Sequence, residues 1–144
     1  MPMSIQALPL RLSPGQDLRR ALQDAIRAHA CEAAFVLSGI GSLAGAQLRL
    51  AGAGSPKKLD GDIEILTLAG SIAVNGAHLH ASLALSSGEV IGGHIGPGCI
   101  VRTTAEVLLA LLPGGRFTRE MDALTGYAEL VVRPAAADDG PGTV

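Results

Sequence analysis

"AHLHASLALSSGEVIGGHI", residues 77–95, combines an alternating apolar row with three of the four histidines in the chain. Successive side chains of a β-strand point to opposite faces. Leu79, Ala81, Leu83 and Leu85 therefore share one face, the core face, and His78, His80, Ser82 and Ala84 share the other. Ser86, Ser87 and Gly88 then read as a three-residue hairpin loop, with glycine last, where a left-handed residue is wanted. That loop pairs Leu85 with Glu89, and counting back along the ladder pairs His80 with His94. Directly opposed Cβ atoms stand about 4.5–5.5 Å apart, and His78 would lie diagonal to His94 at about 7–8 Å. A loop of two or four residues would turn His94 to the core face instead. The apolar pattern of both strands favours three. A bulge at Gly92–Gly93 would undo the count.

Working outward, the same alternation continues in other segments. "IEILTLAGSIAVNG" (63–76) is strand material interrupted at Gly70, as a bulge or a break. "AGAGSPKKLDGD" (51–62) reads as a loop from its glycines, proline and charges. "AAFVLSGIGSLAGAQLRL" (33–50) reads as two strands broken at "SGIGS". "SIQALPLRL" (4–12) is a first strand whose Pro9 suits a sheet edge or a bulge. In "SPGQ", Ser13 is placed to cap a helix with Pro14 at its first position. Leu18, Ala21, Leu22, Ala25, Ile26 and His29 follow at helical spacing, predicting a helix over about 15–30. "GCIVRTTAEVLLALL" (98–112) is β-branched and then leucine-rich, hence strand. Residues 113–126 read as a loop with a short ordered piece, and "YAELVV" (127–132) as a last strand. The expectation is one domain over residues 1–132 and a disordered tail over 133–144. Its class is α+β: a mainly antiparallel central sheet of about seven strands with one or two helices.

Composition narrows the function classes. Across 144 residues, 48% are hydrophobic and only 2% aromatic, so the core is aliphatic and base-stacking platforms for single-stranded nucleic acid are scarce. The net charge of −2 supplies no global basic field for a polyanion. Cys31 and Cys99 have no metal-type spacing and are too few for a disulfide framework. Reduced thiols, the lack of a signal-peptide pattern in "MPMSIQALPLRLSPGQ" and the lack of a long apolar span predict a cytoplasmic protein that does not enter the membrane. The surplus of Ala, Leu, Ile and Val predicts apolar surface covered by other subunits.

Three neutral imidazoles converging from one rigid hairpin suit a divalent metal, zinc first, with a fourth position open to water or ligand. Fe, Ni, Cu and Co also accept imidazole. The alternative is that His78, His80 and His94 bond only to backbone or water. Glu106 is the one candidate for a catalytic acid or base beside a metal, although a solvated strand carboxylate explains it as well. Arg102 shares a strand face with Glu106 by parity, predicting an ion pair. Arg116 and Arg119 suit an anion, a neighbouring subunit or surface ion pairs. Cys99 reads as a buried, inert thiol.

Taken in order, "LSGIGSLAGAQLR", "EILTLAGSI", "HLHASLALSSGEVIGGHI", "GCIVRTTAEV" and "FTREMDALTGYAEL" resemble the PPC (plants and prokaryotes conserved) domain family, of the stand-alone prokaryotic type, over roughly residues 5–132. The resemblance implies an α+β domain assembled as a homotrimer, with zinc in some members on the histidines that correspond to His78, His80 and His94. It also brings a DNA-binding label. Plant members join the domain to AT-hooks built around RGRP, which this chain lacks, and the tail "AAADDGPGTV" is acidic. Direct DNA binding is therefore not expected, because minor-groove reading needs inserted Arg and Lys. The leading expectation is a homotrimeric metal-binding module for a small ligand or a protein partner. The alternatives are a metal-dependent enzyme acting on a small substrate and a DNA-associated regulator.

Overall fold

The computed structural model describes residues 2–137. Eight strands and one helix follow in the order β1 (Gln6–Leu12), α1 (Leu18–Ala28), β2 (Ala33–Arg49), β3 (Lys57–Ala73), β4 (Gly76–Leu85), β5 (Val90–Ile95), β6 (Val101–Leu111), β7 (Gly115–Met121) and β8 (Ala128–Pro134). This is the expected α+β class. Six strands form an antiparallel sheet in the order β1-β6-β2-β3-β4-β5, and β7 and β8 form a separate hairpin. β5 also pairs with the far end of β2, Leu48 opposite Ile95 and Arg49 opposite His94. The sheet thus curls until its last strand meets one of its central strands.

The aliphatic interior lies inside this curl. Leu43, Leu48, Ile63, Leu79, Leu83, Ile95, Val101 and Leu109 are essentially inaccessible to solvent. Helix α1 contributes Leu18, Leu22 and Ile26, one apolar stripe at helical spacing. β1 is the edge strand that Pro9 suggested, paired only with β6.

Several expectations are corrected. The helix is shorter than 15–30 because Ser13 does not cap it. Ser13 and Gln16 close a turn on each other, and Asp17 is the cap, its Oδ1 accepting from the Arg20 amide at 3.1 Å. Asp17 Oδ2 accepts from the Gly98 amide at 2.7 Å, tying the helix start to the β5–β6 connection. Residues 33–49 form one strand, because register shifts after Val36 and Gly41 absorb the "SGIGS" irregularity without ending the ladder. β3 begins at Lys57 and stays continuous through Gly70, its register shift against β4 falling between Ile65 and Thr67 and that against β2 between Leu59 and Asp62. The charges of "KKLDGDIEIL" disguised a real alternation: Leu59, Ile63 and Ile65 are buried between exposed polar residues. Residues 115–121 form a full strand, β7, anchored by Phe117 against Ala33 and Ala73, which brings the strands to eight rather than about seven. No second helix occurs among the described residues. β8 runs to Pro134, two residues past the expected limit of the domain, and residues 138–144 lie outside the described ones.

Candidate metal centre

The hairpin count holds. The Leu85 amide donates to Glu89 O at 2.8 Å and the Gly88 amide to Leu85 O at 2.8 Å. The β4–β5 register runs without a shift through Ala81–Gly93 and Ser82–Gly92 to His80–His94. His80 Nε2 lies 3.0 Å from His78 Nε2 and 3.2 Å from His94 Nδ1. One donor nitrogen from each ring falls within 4.8 Å of the others. Two nitrogens on a tetrahedral zinc, each about 2.0–2.1 Å from the ion, stand roughly 3.3 Å apart. The donor set therefore fits such an ion in both chemistry and spacing. Hydrogen bonding accounts for it less well, because His80 Nε2 has one proton or one lone pair and faces two ring nitrogens.

Two close backbone approaches hold the hairpin in place. Gly70 on β3 lies opposite Leu79. A Cβ on Gly70 would fall 2.1 Å from the His78 carbonyl oxygen, and its φ of +149° disfavours any larger residue. A Cβ on Gly93 would fall 2.6 Å from Arg49 O, so glycine permits β5 to close against β2. Beneath the imidazoles, Leu79, Ala81 and Leu83 are buried. Slipping the strand by one residue would put the histidines in the core.

His78 and His94 are half-buried and His80 is exposed. A cleft of about 640 Å³ opens beside His78 and His94. It is lined by Ala77, Leu79, Pro97 and Tyr127 among others, and carries Arg19, Arg49 and Arg119 with one carboxylate, Glu129. Arg49 stands directly across the ladder from His94. Arg119 is delivered from β7 by Asn75 in the β3–β4 turn. The Asn75 side chain donates to Arg119 O at 2.9 Å and accepts from the Arg119 amide at 2.7 Å. Burial lowers the His78 pKa below the usual imidazole value, reinforced by Arg119 and by the other two rings and opposed by Glu129. Burial also lowers that of His94, with Arg49 and His80 adding to the effect. Both rings are thereby biased toward the neutral form that ligates metals.

Sequence reading missed Arg19, Arg49, Asn75 and Glu129 here. Arg119 was singled out for an anion, a neighbouring subunit or a surface ion pair, but not for a place beside the histidines. The one available signal was Arg49 at the end of an alternating strand, and nothing local says which strand it meets. Glu106 does not join the imidazoles within this chain. It lies on β6 opposite Arg11 and Ile40, in a separate groove with Glu64 and Thr104. The expected Arg102–Glu106 pair does not form, since four residues along a strand span about 13 Å. Arg102 Nε pairs instead with Asp62 Oδ1 at 3.1 Å. Arg116 pairs with Glu32. Cys99 is buried, and burial pushes its thiol pKa up, consistent with an unreactive group. Cys31 is half-buried, its Sγ 3.2 Å from Ala33 O.

A model of the Plants and Prokaryotes Conserved (PCC) domain matches residues 2–113. Over 137 residues, 95% of its length, the chain is 47% identical to the bifunctional protein GlmU of Synechococcus sp. (strain JA-2-3B'a(2-13)). It spans only 22% of that relative. Among solved structures it is similar to a hypothetical protein from Salmonella cholerae-suis, with a TM-score of 0.90 and 34% identity, covering 94% of this chain and 99% of that one. It is also similar to a metal-containing protein from Archaeoglobus fulgidus, with a TM-score of 0.79 and 27% identity, covering 90% of this chain and 96% of that one.

Proposed function

The chain belongs to the Plants and Prokaryotes Conserved domain family, and on that footing we propose that it is a homotrimeric module holding a divalent metal, zinc first, on His78, His80 and His94. The metal's remaining face serves a small ligand or a protein partner. The observation that carries this reading is the convergence of three ring nitrogens at 3.0 and 3.2 Å from a hairpin that has no other need of them. The likeness to a metal-containing protein supports it. The homotrimer is supported by Leu37 and Ile40 on β2 and Leu66 on β3, large apolar side chains left exposed on the sheet.

A second reading, metal-dependent chemistry on a small substrate, draws on Glu129. Its carboxylate lines the same cleft as His78 and His94 and is better placed than Glu106 to move a proton there. A DNA-associated role draws on the family label alone and meets a net charge of −2. No helix among the described residues is long and apolar enough to cross a membrane.

Elemental analysis by inductively coupled plasma mass spectrometry tests the metal reading. The expected result is about one transition metal per chain, removed by chelator, restored by zinc and absent from His80→Ala with the fold intact. No metal under any loading condition would return the three histidines to ordinary polar packing. Loss of the assembly together with the metal in His80→Ala would make the site structural.

A further inference from the structure

Three of the chain's arginines, Arg19, Arg49 and Arg119, line the cleft beside the imidazoles. Among the described residues outside the cleft, Arg20, Arg27, Lys58, Arg102, Arg116 and Arg133 each have a carboxylate within ion-pair distance, and only the scattered Arg11 and Lys57 do not. Arg19 and Arg49 have none. Their guanidinium groups reach only the carbonyl oxygens of Ile95 and Ala53, each at 3.4 Å. Arg119 faces Glu129 at 3.9 Å, the outer limit of an ion pair, although its side chain is only 16% exposed. An acidic chain thus gathers three guanidinium groups against one carboxylate in a single concavity. Clustered like charges repel, and low-dielectric walls focus their field on whatever enters.

We propose that this cleft binds a small organic anion, its carboxylate or phosphate group held by Arg49 and Arg119 and its apolar body lying against Pro56, Pro97 and Tyr127. The chemistry follows from the lining. A guanidinium is a planar fork that matches two oxygens of a carboxylate or phosphate. The backbone of Arg49 is placed by its register opposite His94, and that of Arg119 by two Asn75 hydrogen bonds. These two come from different strands, β2 and β7, onto the same cleft. The remaining wall is largely apolar, which favours a hydrocarbon-bearing anion over an inorganic one. This deepens the small-ligand reading above, yet it rests on the arginines and not on the metal.

The test is titration of the whole protein, metal-free and zinc-loaded, followed by amide chemical shifts and calorimetry. The probes are 4-methylpentanoate, phenyl phosphate and inorganic phosphate, with 4-methylpentanamide as the neutral control. The proposal expects both organic anions to bind and to compete with one another. They should shift amides around Arg49, Ala77–Leu79 and Arg119, and the amide should not bind. Which anion binds more tightly identifies the oxyanion. Arg49→Gln and Arg119→Gln should each weaken binding about tenfold or more, as expected for loss of a charge-assisted hydrogen bond. Lys57→Gln, outside the cleft, should leave it unchanged. Equal binding of the amide, or unchanged affinity in the arginine variants, would overturn the proposal. The amide comparison is made on wild-type protein and so holds even if a variant misfolds. Anion binding to a chain that takes up no metal would sink the metal reading alone. Metal uptake without anion binding in either state would sink this inference alone.

Discussion

Gly70 lies so close beneath His78 that a Cβ on Gly70 would sit 2.1 Å from the His78 carbonyl oxygen. This contact links the interior of β3 to the strand that carries two of the three imidazoles. Gly70→Ala must therefore push β4 away or strain the backbone at a φ of +149°. The expected cost is about 2–4 kcal/mol, combining backbone strain with an overpacked strand contact. Urea unfolding of the metal-free protein reads that cost, and zinc uptake should fall in the same variant. A Gly70→Ala protein with wild-type stability would mean that β3 and β4 separate more easily than their ladder implies.

The lowered pKa values of His78 and His94 predict a pH dependence of known sign. In the unfolded chain both rings titrate near their ordinary value of 6.5. In the folded chain they hold protons less readily. As pH falls below 6.5, the unfolded state takes up protons first, so the stability of the metal-free protein declines. The decline stops once pH passes below the folded values. Urea midpoints measured between pH 7.5 and 5 should show this loss, reduced in His78→Ala. Zinc binding, which needs neutral rings, should persist below pH 6.5 and then fall steeply.

Asn75 holds Arg119 by both backbone groups, at 2.9 and 2.7 Å. Asn75→Ala should cost about 1 kcal/mol, because the turn is exposed and water can replace part of what is lost. Its larger effect should be local. Hydrogen exchange at the Arg119 amide should quicken, while exchange in β4 and β5 stays near the wild-type rate. Unchanged protection at Arg119 would show that the Asn75 contact does not hold this end of β7.

Leu37, 55% exposed, and Ile40, 51% exposed, lie on the outer side of β2. If this face joins subunits, Leu37→Asp with Ile40→Asp buries unpaired charge at the contact and should yield monomers by sedimentation. Circular dichroism should stay near that of the wild type, since neither side chain belongs to the core. A trimer that survives both changes would place the subunit contact elsewhere.

The imidazole cluster was legible because it is a local construction. Alternation assigns His78 and His80 to one face, loop length sets the register, and the register brings His94 opposite His80. All of this lies within one hairpin, so no long-range information enters the count. The class of the fold was legible for the same reason, through strand alternation and short connections. Strand limits were less so. Charge in "KKLDGDIEIL" and glycine in "SGIGS" resemble loop signals when the partner strands are unknown. In the structure those partners absorb the irregularities as register shifts.

The surroundings of the imidazoles depended on tertiary structure. Arg49 precedes His94 by 45 residues, and Arg119 follows His78 by 41. They reach the cleft only because β5 closes onto β2 and β7 docks on the Asn75 turn. Glu106 illustrates the converse: its residue type suits a catalytic site, but its strand faces another groove. The sequence by itself determined which side chains share a face, because a strand's period is a property of its own backbone. Which faces meet was decided by closure of the sheet, a balance of buried apolar surface and hydrogen-bonded ladders over the whole chain.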